Sequence, residues 1–538
     1  PLSLEQCGEV LRLESGKMKE GKALIRYFST PTKGKRHLPA DAPDRWEVFK
    51  HYNIRDVEVE QQILAKVRRL EPAAFDEELY TADQRINDRG VLLDRQLAEN
   101  ATRIDDEYKA QLLNEAKELT GMENPNSPAQ IKEYLHHATG LSIDSLNKKN
   151  LDDIESQLTY WPKAQKVLRL RREMGKTSTK KYNAMLECVC DDGRIHGLLQ
   201  FCGAARTGRW AGRLVQVQNL PQNHLQDLDY ARQLVKSGDL DDFQLNYANP
   251  TYVLSELIRT AFIAKPGCTF HVCDFSAIEA RVIAWLSGEQ WVIEVFRAGG
   301  DIYCAAAAQM FNCKVEKHGQ NSELRPKGKI AVLALGYGGG VAALENMGGS
   351  RMGLTEQEEK DITMRWRAAN QHIVRFWGVI EAVKAIKTGE SVTIHRGIVV
   401  SFRWGMLLIT LPSGRTICYP RATIGIERND GWRGDHEIIE YEGLNQTTKK
   451  WGKIRTYGGK LTENVVQAIA RDILGLIILR AEALGFNIVF HIHDEIVVEA
   501  EPGQNLQDVE RIFSKPIDWC RDLPLKGAGY TTPYYLKD

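Results

Sequence analysis

The sequence predicts a multidomain α/β (α+β) chain in which a mixed strand-and-helix core carries all-helical flanks. Three observations point there. Residues 83–185 keep a helical apolar period under heavy charge. From residue 268 onward, short apolar runs ending at acids alternate with helical patterns. Residues 391–441 are rich in β-branched and aromatic side chains, with turn signals such as Pro412-Ser413-Gly414, and read as hairpins.

Taken in order, residues 1–80 are mostly helical around a polar Lys- and Pro-rich loop at 29–43. Residues 50–69 read as one helix, with apolar positions Ile54, Val57, Val59, Ile63, Leu64 and Val67. The helical stretch 83–185 breaks at Gly90, at 121–128 and near Pro162. Ser127-Pro128 is a helix start, with Ser as cap and Pro in the first turn. Residues 268–273 form an apolar run ending at Asp274, followed by a helical pattern over 276–286. Residues 327–335 are a helix-like run closed by Gly336 and Gly338. Residues 461–484 are one long helix, 487–492 a strand, His493-Asp494-Glu495 a tight turn and 496–499 another strand.

A chain of 538 residues has length for about three or four domains. With 43% hydrophobic and 26% charged residues, disorder, collagen and coiled coil are excluded as the main account. No apolar run is long enough for a membrane span, since 473–479 stops at Arg480. Basic and acidic residues balance at 71 each, so any basic groove must be local. Two such stretches exist. Residues 162–181 carry eight basic side chains against one acid, and 194–226 carry four Arg and two His with no acid. The ten Cys form no CxxC pair and no zinc spacing, and free thiols fit a reducing cytoplasm. The chain opens Pro1-Leu-Ser-Leu, with neither Met nor a signal-peptide pattern, as expected of a fragment or a processed chain.

Two acids carry the chemistry. Asp274 and Asp494 each end an apolar strand, and two such strands side by side would bring their carboxylates together. Paired carboxylates suit hard Mg²⁺, which keeps positions open for phosphate. Two ions roughly 4 Å apart stabilise the attacking and leaving oxygens of a phosphoryl displacement. One such Asp by itself reads rather as a turn or helix cap. Arg325, Lys329, Leu333 and Tyr337 recur every fourth residue, drifting about 40° per step, so they share one broad helix face. A cationic and aromatic face suits a triphosphate at one end and a base at the other, although a solvated basic edge has the same pattern.

Asp274-Phe-Ser-Ala-Ile-Glu-Ala-Arg281 resembles motif A of family A (polymerase I-like) DNA polymerases. Arg325-Pro-Lys-Gly-Lys329-Ile-Ala-Val-Leu333-Ala-Leu-Gly-Tyr337-Gly338 resembles motif B, most like phage-encoded members, and His493-Asp494-Glu495 resembles motif C. Thr207-Gly208-Arg209, followed by Gln218-Asn219-Leu220-Pro221, is similar to the primer-contacting segment. The motifs keep the family's order over about residues 80–538.

The resemblance implies a right-hand polymerase with helical thumb, mixed-sheet palm and helical fingers. Its segments would be an exonuclease remnant (1–80), thumb (81–193), palm (194–295), fingers (296–385) and the rest of the palm (386–538). It implies a template-directed enzyme that adds dNTPs to a primer 3′-OH and releases pyrophosphate in DNA replication. Asp274, Asp494 and the Phe275 carbonyl would hold two Mg²⁺, with Mn²⁺ as a substitute. Arg325 and Lys329 would grip the triphosphate, and the motif B helix would swing inward on correct pairing. Tyr337 would lie beneath the templating position. Glu279 would crowd the sugar's 2′ position against ribonucleotides. Arg209, Gln467 and His493, with Gln218 and Asn219, would touch the primer and its minor groove, where contacts test pair shape. Arg415 would contact the DNA backbone, and Lys176 in the thumb would bind phosphate without regard to sequence. The implied partners are primer–template DNA, dNTPs and a processivity factor or other replication proteins, in a host cytoplasm if phage-encoded.

Two departures stand out. Leu333 replaces the Phe or Tyr of many relatives. Tyr52-Asn-Ile-Arg-Asp56 resembles the last motif of DnaQ-like 3′–5′ exonucleases, whose earlier carboxylates are not in this sequence, so no proofreading is expected of this chain. A single-subunit RNA polymerase, a metal-dependent nuclease and a non-catalytic DNA-binding scaffold remain as alternatives. Trp210, Trp285, Trp366 and Trp377 read mainly as core packing rather than as base-stacking platforms.

Overall fold

The computed structural model describes the chain apart from residues 1–2, 14–15, 17, 19, 32–34, 69–71, 148–149, 378–379, 428–435, 446 and 538. Helices dominate the first half and the 278–388 region, and the strands gather into small antiparallel sheets.

The sheet that positions the site has the order Ile488–Ile492, Glu495–Ala500, Thr269–Phe275, Gly527–Thr532, every neighbour antiparallel. Its three longer-paired strands are apolar because helices cover them. The long helix Gly458–Ala483 is buried on nearly all sides, and Ile278–Ser287 packs against it. Phe270, Val272, Phe490, Val497 and Val498 fill the space between sheet and helices. The expectation of two acid-bearing strands lying side by side is corrected here. The neighbour of Thr269–Phe275 is the strand after Asp494, not the one before it. The turn is tighter than expected, holding only His493 and Asp494, with His493 in the left-handed region (φ 51°) and Glu495 already in the strand.

The helix expected over 50–69 is Pro43–Val67, with Arg69 outside the described residues. The helical reading of 83–185 misses one element. Gly90 (φ +59°) ends the helix Ala74–Arg89, and Val91–Leu93 pairs with Arg194–Ile195 and Phe262–Ile263. Three residues are too few to show a period. Pro128 opens a helix, but Ser127 gives it no side-chain cap. The region 391–441 forms hairpins. Val392–Thr393, Val399–Arg403, Met406–Thr410 and Thr416–Pro420 make one sheet, with the Pro412-Ser413-Gly414 turn between its last two strands. Thr423–Glu427, His436–Leu444 and Trp451–Thr456 make another.

Three packing units follow. One large core runs through residues 79–535. A separate small core joins Ile131, Leu135, Ile154, Leu158, Val167 and Leu168. Near the start, Phe28, Trp46, Phe49 and Tyr52 form an aromatic cluster, with Phe28 and Phe49 centroids 5.5 Å apart. Among the described residues no helix is long and apolar enough to cross a membrane.

Candidate active site

The strand ladder places Asp274 directly opposite Glu495, and the Phe275 amide donates to the Asp494 carbonyl at 3.2 Å. Asp274 and the Asp494 turn therefore meet at one sheet end. Glu279 comes from the first turn of the next helix, Ile278–Ser287. Its carboxylate is held from two sides. Arg209 Nη2 lies 2.8 Å from Oε1, and the Tyr337 hydroxyl donates to Oε2 at 2.7 Å. Arg209 also faces Asp494 Oδ1 at 3.6 Å. One chain of contacts thus joins the turn at 207–209, the helix after Asp274, the segment after Arg325–Leu335, and the Asp494 turn.

Asp494 Oδ1 is buried and has no hydrogen-bond partner. Burial raises the Asp494 carboxyl to about 7; Arg209 opposes this, while Asp274 and Glu279 add to it. Burial, then Arg209, holds the exposed-edged His493 ring below its ordinary value. Tyr337 is pushed well up by burial and by Glu279, so its hydroxyl keeps the proton that it donates.

The helix Arg325–Leu335 buries Gly328, Ile330, Ala331, Ala334 and Leu335, and turns Lys329 and Leu333 outward. Arg325 and Tyr337 are half-buried, and Tyr337 lies beyond the helix end. Gly328 permits close packing, since a Cβ there would lie 2.1 Å from the Tyr303 carbonyl oxygen. Arg325 is not free: Asp301 holds its Nε and Nη2 at 2.9 Å each, over the Tyr303 ring. Lys329 makes no ion pair among the described residues. Leu333, Tyr337, Ile283 and Trp366 line a cavity of about 30 Å³ beside Glu279. Trp377 donates to the Gly336 carbonyl at 2.7 Å and stacks on Trp366, centroids 6.2 Å apart. Trp285 and Trp366 are core residues, and Trp210 is partly buried, bonded to Asp83.

The other expected residues divide. Gln467 is half-buried on Gly458–Ala483, 3.4 Å from Glu463. Gln218 packs its side-chain oxygen over Gly212, and Asn219 is exposed beside Gln216. Lys176 lies half-buried near the Tyr252 ring. Arg415 departs from expectation. It is only 9% exposed, and its guanidinium holds Asp472 at 2.7 Å and the Thr207 and Ala468 carbonyls. It is a strut under the Arg209 turn rather than a surface group. Tyr52 is also no surface group: it is buried beneath Gly21 and stacked on Phe49, with Asp56 one turn along.

Sequence reasoning missed several residues. Arg471 and Asp472 sit at the centre of the long helix and tie Asp76, Gly208 and Arg415 together. A charged pair inside an apolar helix was the available signal. Glu495 was read only as part of the His493-Asp494-Glu495 turn, without a role of its own, and Asp301 and Lys537 were unremarked. Lys537 Nζ lies 3.3 Å from Asp274 Oδ2 and 3.2 Å from Glu495 Oε2.

The family model for DNA polymerase family A matches residues 95–402. The chain is 48% identical over 548 residues to the DNA polymerase of Bacillus phage SP02, covering 100% of this chain and 84% of that protein. It is 26% identical to the thermostable DNA polymerase I of Thermus aquaticus over 270 residues, 49% of this chain and 26% of that one. In fold it is similar to the polymerase domain of Pol1 from M. smegmatis, solved in complex with DNA primer-template and dNTP. The TM-score is 0.60 at 16% identity, over 99% of this chain and 81% of that one. The chain belongs to DNA polymerase family A and is a DNA-directed DNA polymerase, a nucleotidyltransferase.

Proposed function

We propose that the site formed by Asp274, Asp494, Glu279, Arg209 and Tyr337 extends a primer 3′-OH with dNTPs, using two Mg²⁺ for which Mn²⁺ can substitute. The observation that carries this is convergence. Tyr337 bonds Glu279, Glu279 pairs with Arg209, and Arg209 faces Asp494, so four distant segments meet at one point. Asp494 Oδ1 is buried, makes no hydrogen bond among the described residues and meets only Arg209 at 3.6 Å, which supports a cation there, because a buried carboxylate oxygen is costly unless an ion meets it closely. Asp274, Asp494 and the Phe275 carbonyl would hold the ions, with substrate phosphate oxygens completing the set, since among the described residues no three His, Cys, Asp or Glu side chains form a site by themselves. When bound, the ions supply charge for the attacking and leaving oxygens. The protein's own part is orientation. Exposed Lys329, and Arg325 once released from Asp301, neutralise the triphosphate. Glu279, fixed from both sides, bars a 2′-hydroxyl by occupying its place. Arg209 and His493 meet the primer terminus. Gln467, Gln218 and Asn219 line the duplex, and Lys176 grips its backbone from the thumb.

The proposed division is thumb over 81–193, palm over 194–295 and 386–538, and fingers over 296–385. Residues 1–80, whose last helix Ala74–Arg89 already joins the large core through Leu79, are proposed to carry no proofreading activity. Tyr52 packs inward in its aromatic cluster, where it cannot orient a substrate.

The test is extension of a labelled primer–template with Mg²⁺ and either dNTPs or rNTPs, beside Asp494→Ala and Glu279→Ala. Growth with dNTPs only, abolished by Asp494→Ala while DNA stays bound, is expected. Glu279→Ala should raise ribonucleotide use by roughly tenfold or more. Extension by Asp494→Ala would overturn the assignment, and shortening of the primer would restore a nuclease reading.

A further inference from the structure

The segment after the Gly527–Thr532 strand returns to the active site and is firmly held. The Tyr535 amide donates to the Phe262 carbonyl at 2.9 Å. Asn223 clamps the Lys537 backbone from both sides, its side chain accepting the Lys537 amide (2.9 Å) and its own amide donating to the Lys537 carbonyl (3.1 Å). The Lys537 side chain then reaches between Asp274 and Glu495. These two acids are directly opposed across the ladder, where like charges repel. Glu495 is buried, with one oxygen accepting from the Tyr535 hydroxyl at 2.8 Å and the other facing Lys537. It is therefore engaged on both oxygens by the returning segment. Asp274 is different, because only Oδ2 meets Lys537 and the side chain stays 42% exposed.

We propose that Lys537 is a positioning residue for the polymerase reaction: it bridges Glu495 and Asp274, holds the Asp274 carboxylate in one orientation, and offsets one negative charge of the cation site. This rests on the reading of Asp274 and Asp494 as that site. The bridge has an unusual consequence. Removing Lys537 makes the site more negative, so divalent cations bind more tightly. It also frees Asp274 to be pushed aside by Glu495, so turnover slows. Ordinary damage to the fold would weaken both.

The experiment compares wild type, Lys537→Met and Lys537→Arg as full chains with primer–template DNA. Mn²⁺ affinity is read directly by electron paramagnetic resonance, kcat and KM for dNTP by extension, and folding by thermal unfolding. Lys537→Met should bind Mn²⁺ about tenfold more tightly, the scale of one unit charge a few ångström away at high effective dielectric. Its kcat should fall about tenfold with KM little changed, and Lys537→Arg should restore both. Unchanged affinity and kcat, or weaker Mn²⁺ binding, would overturn the proposal. Should the wild type itself fail to extend primers, the polymerase assignment of the site fails, while the Mn²⁺ comparison still decides the role of Lys537.

Discussion

Asp494 shows how one residue sets activity against stability. Its carboxyl is raised to about 7 by burial, whereas an unfolded Asp titrates at about 3.9. Between those values the folded protein holds a proton that the unfolded chain has lost. Without metal, stability therefore falls as pH rises through that window and is not penalised below it. Asp494→Asn removes the penalty. In chelator, its melting temperature should exceed that of wild type at pH 8, and the two should converge near pH 4. A difference independent of pH would contradict this. Added Mg²⁺ should favour the wild type alone, because the cation compensates the charge that burial opposes.

At the scale of elements, the site depends on how closely neighbours approach. Gly328 lets Arg325–Leu335 lie against Ile302–Phe311, where a methyl group would meet the Tyr303 carbonyl. Gly328→Ala should cost about 1–3 kcal/mol by thermal or denaturant unfolding, with reduced dNTP affinity as Arg325 is displaced. This is also the scale at which the sequence was most and least legible. Long elements such as 458–483 were readable because many turns average their period. Asp274 and Asp494 were readable as acids closing apolar runs and Tyr337 by its four-residue spacing, whereas Glu279 was legible only through the resemblance to motif A. Val91–Leu93 was not, being defined by partners far along the chain. Arg415 and Lys537 were not either. Nothing local says that an Arg after Ser-Gly will be drawn inward by Asp472, or that residue 537 will return to residue 274.

At the scale of the molecule, the separate cores define what can be removed. Among the described residues, the Phe28–Tyr52 cluster shares no buried side chain with the large core. A chain lacking residues 1–67 should keep its main melting transition and its primer extension, as calorimetry and a gel assay would show. Loss of both would mean that this unit supports the polymerase body. The helix Arg325–Leu335 carries a further consequence. Trp377 is tied to Gly336 at the end of the helix that bears Arg325 and Lys329, and it lies against Trp366. Any movement of that helix on nucleotide binding must alter the surroundings of an indole, so the enzyme contains its own fluorophore for the step. Stopped-flow mixing with a dNTP should give an emission change that Trp377→Phe silences, timing the conformational step without an attached dye.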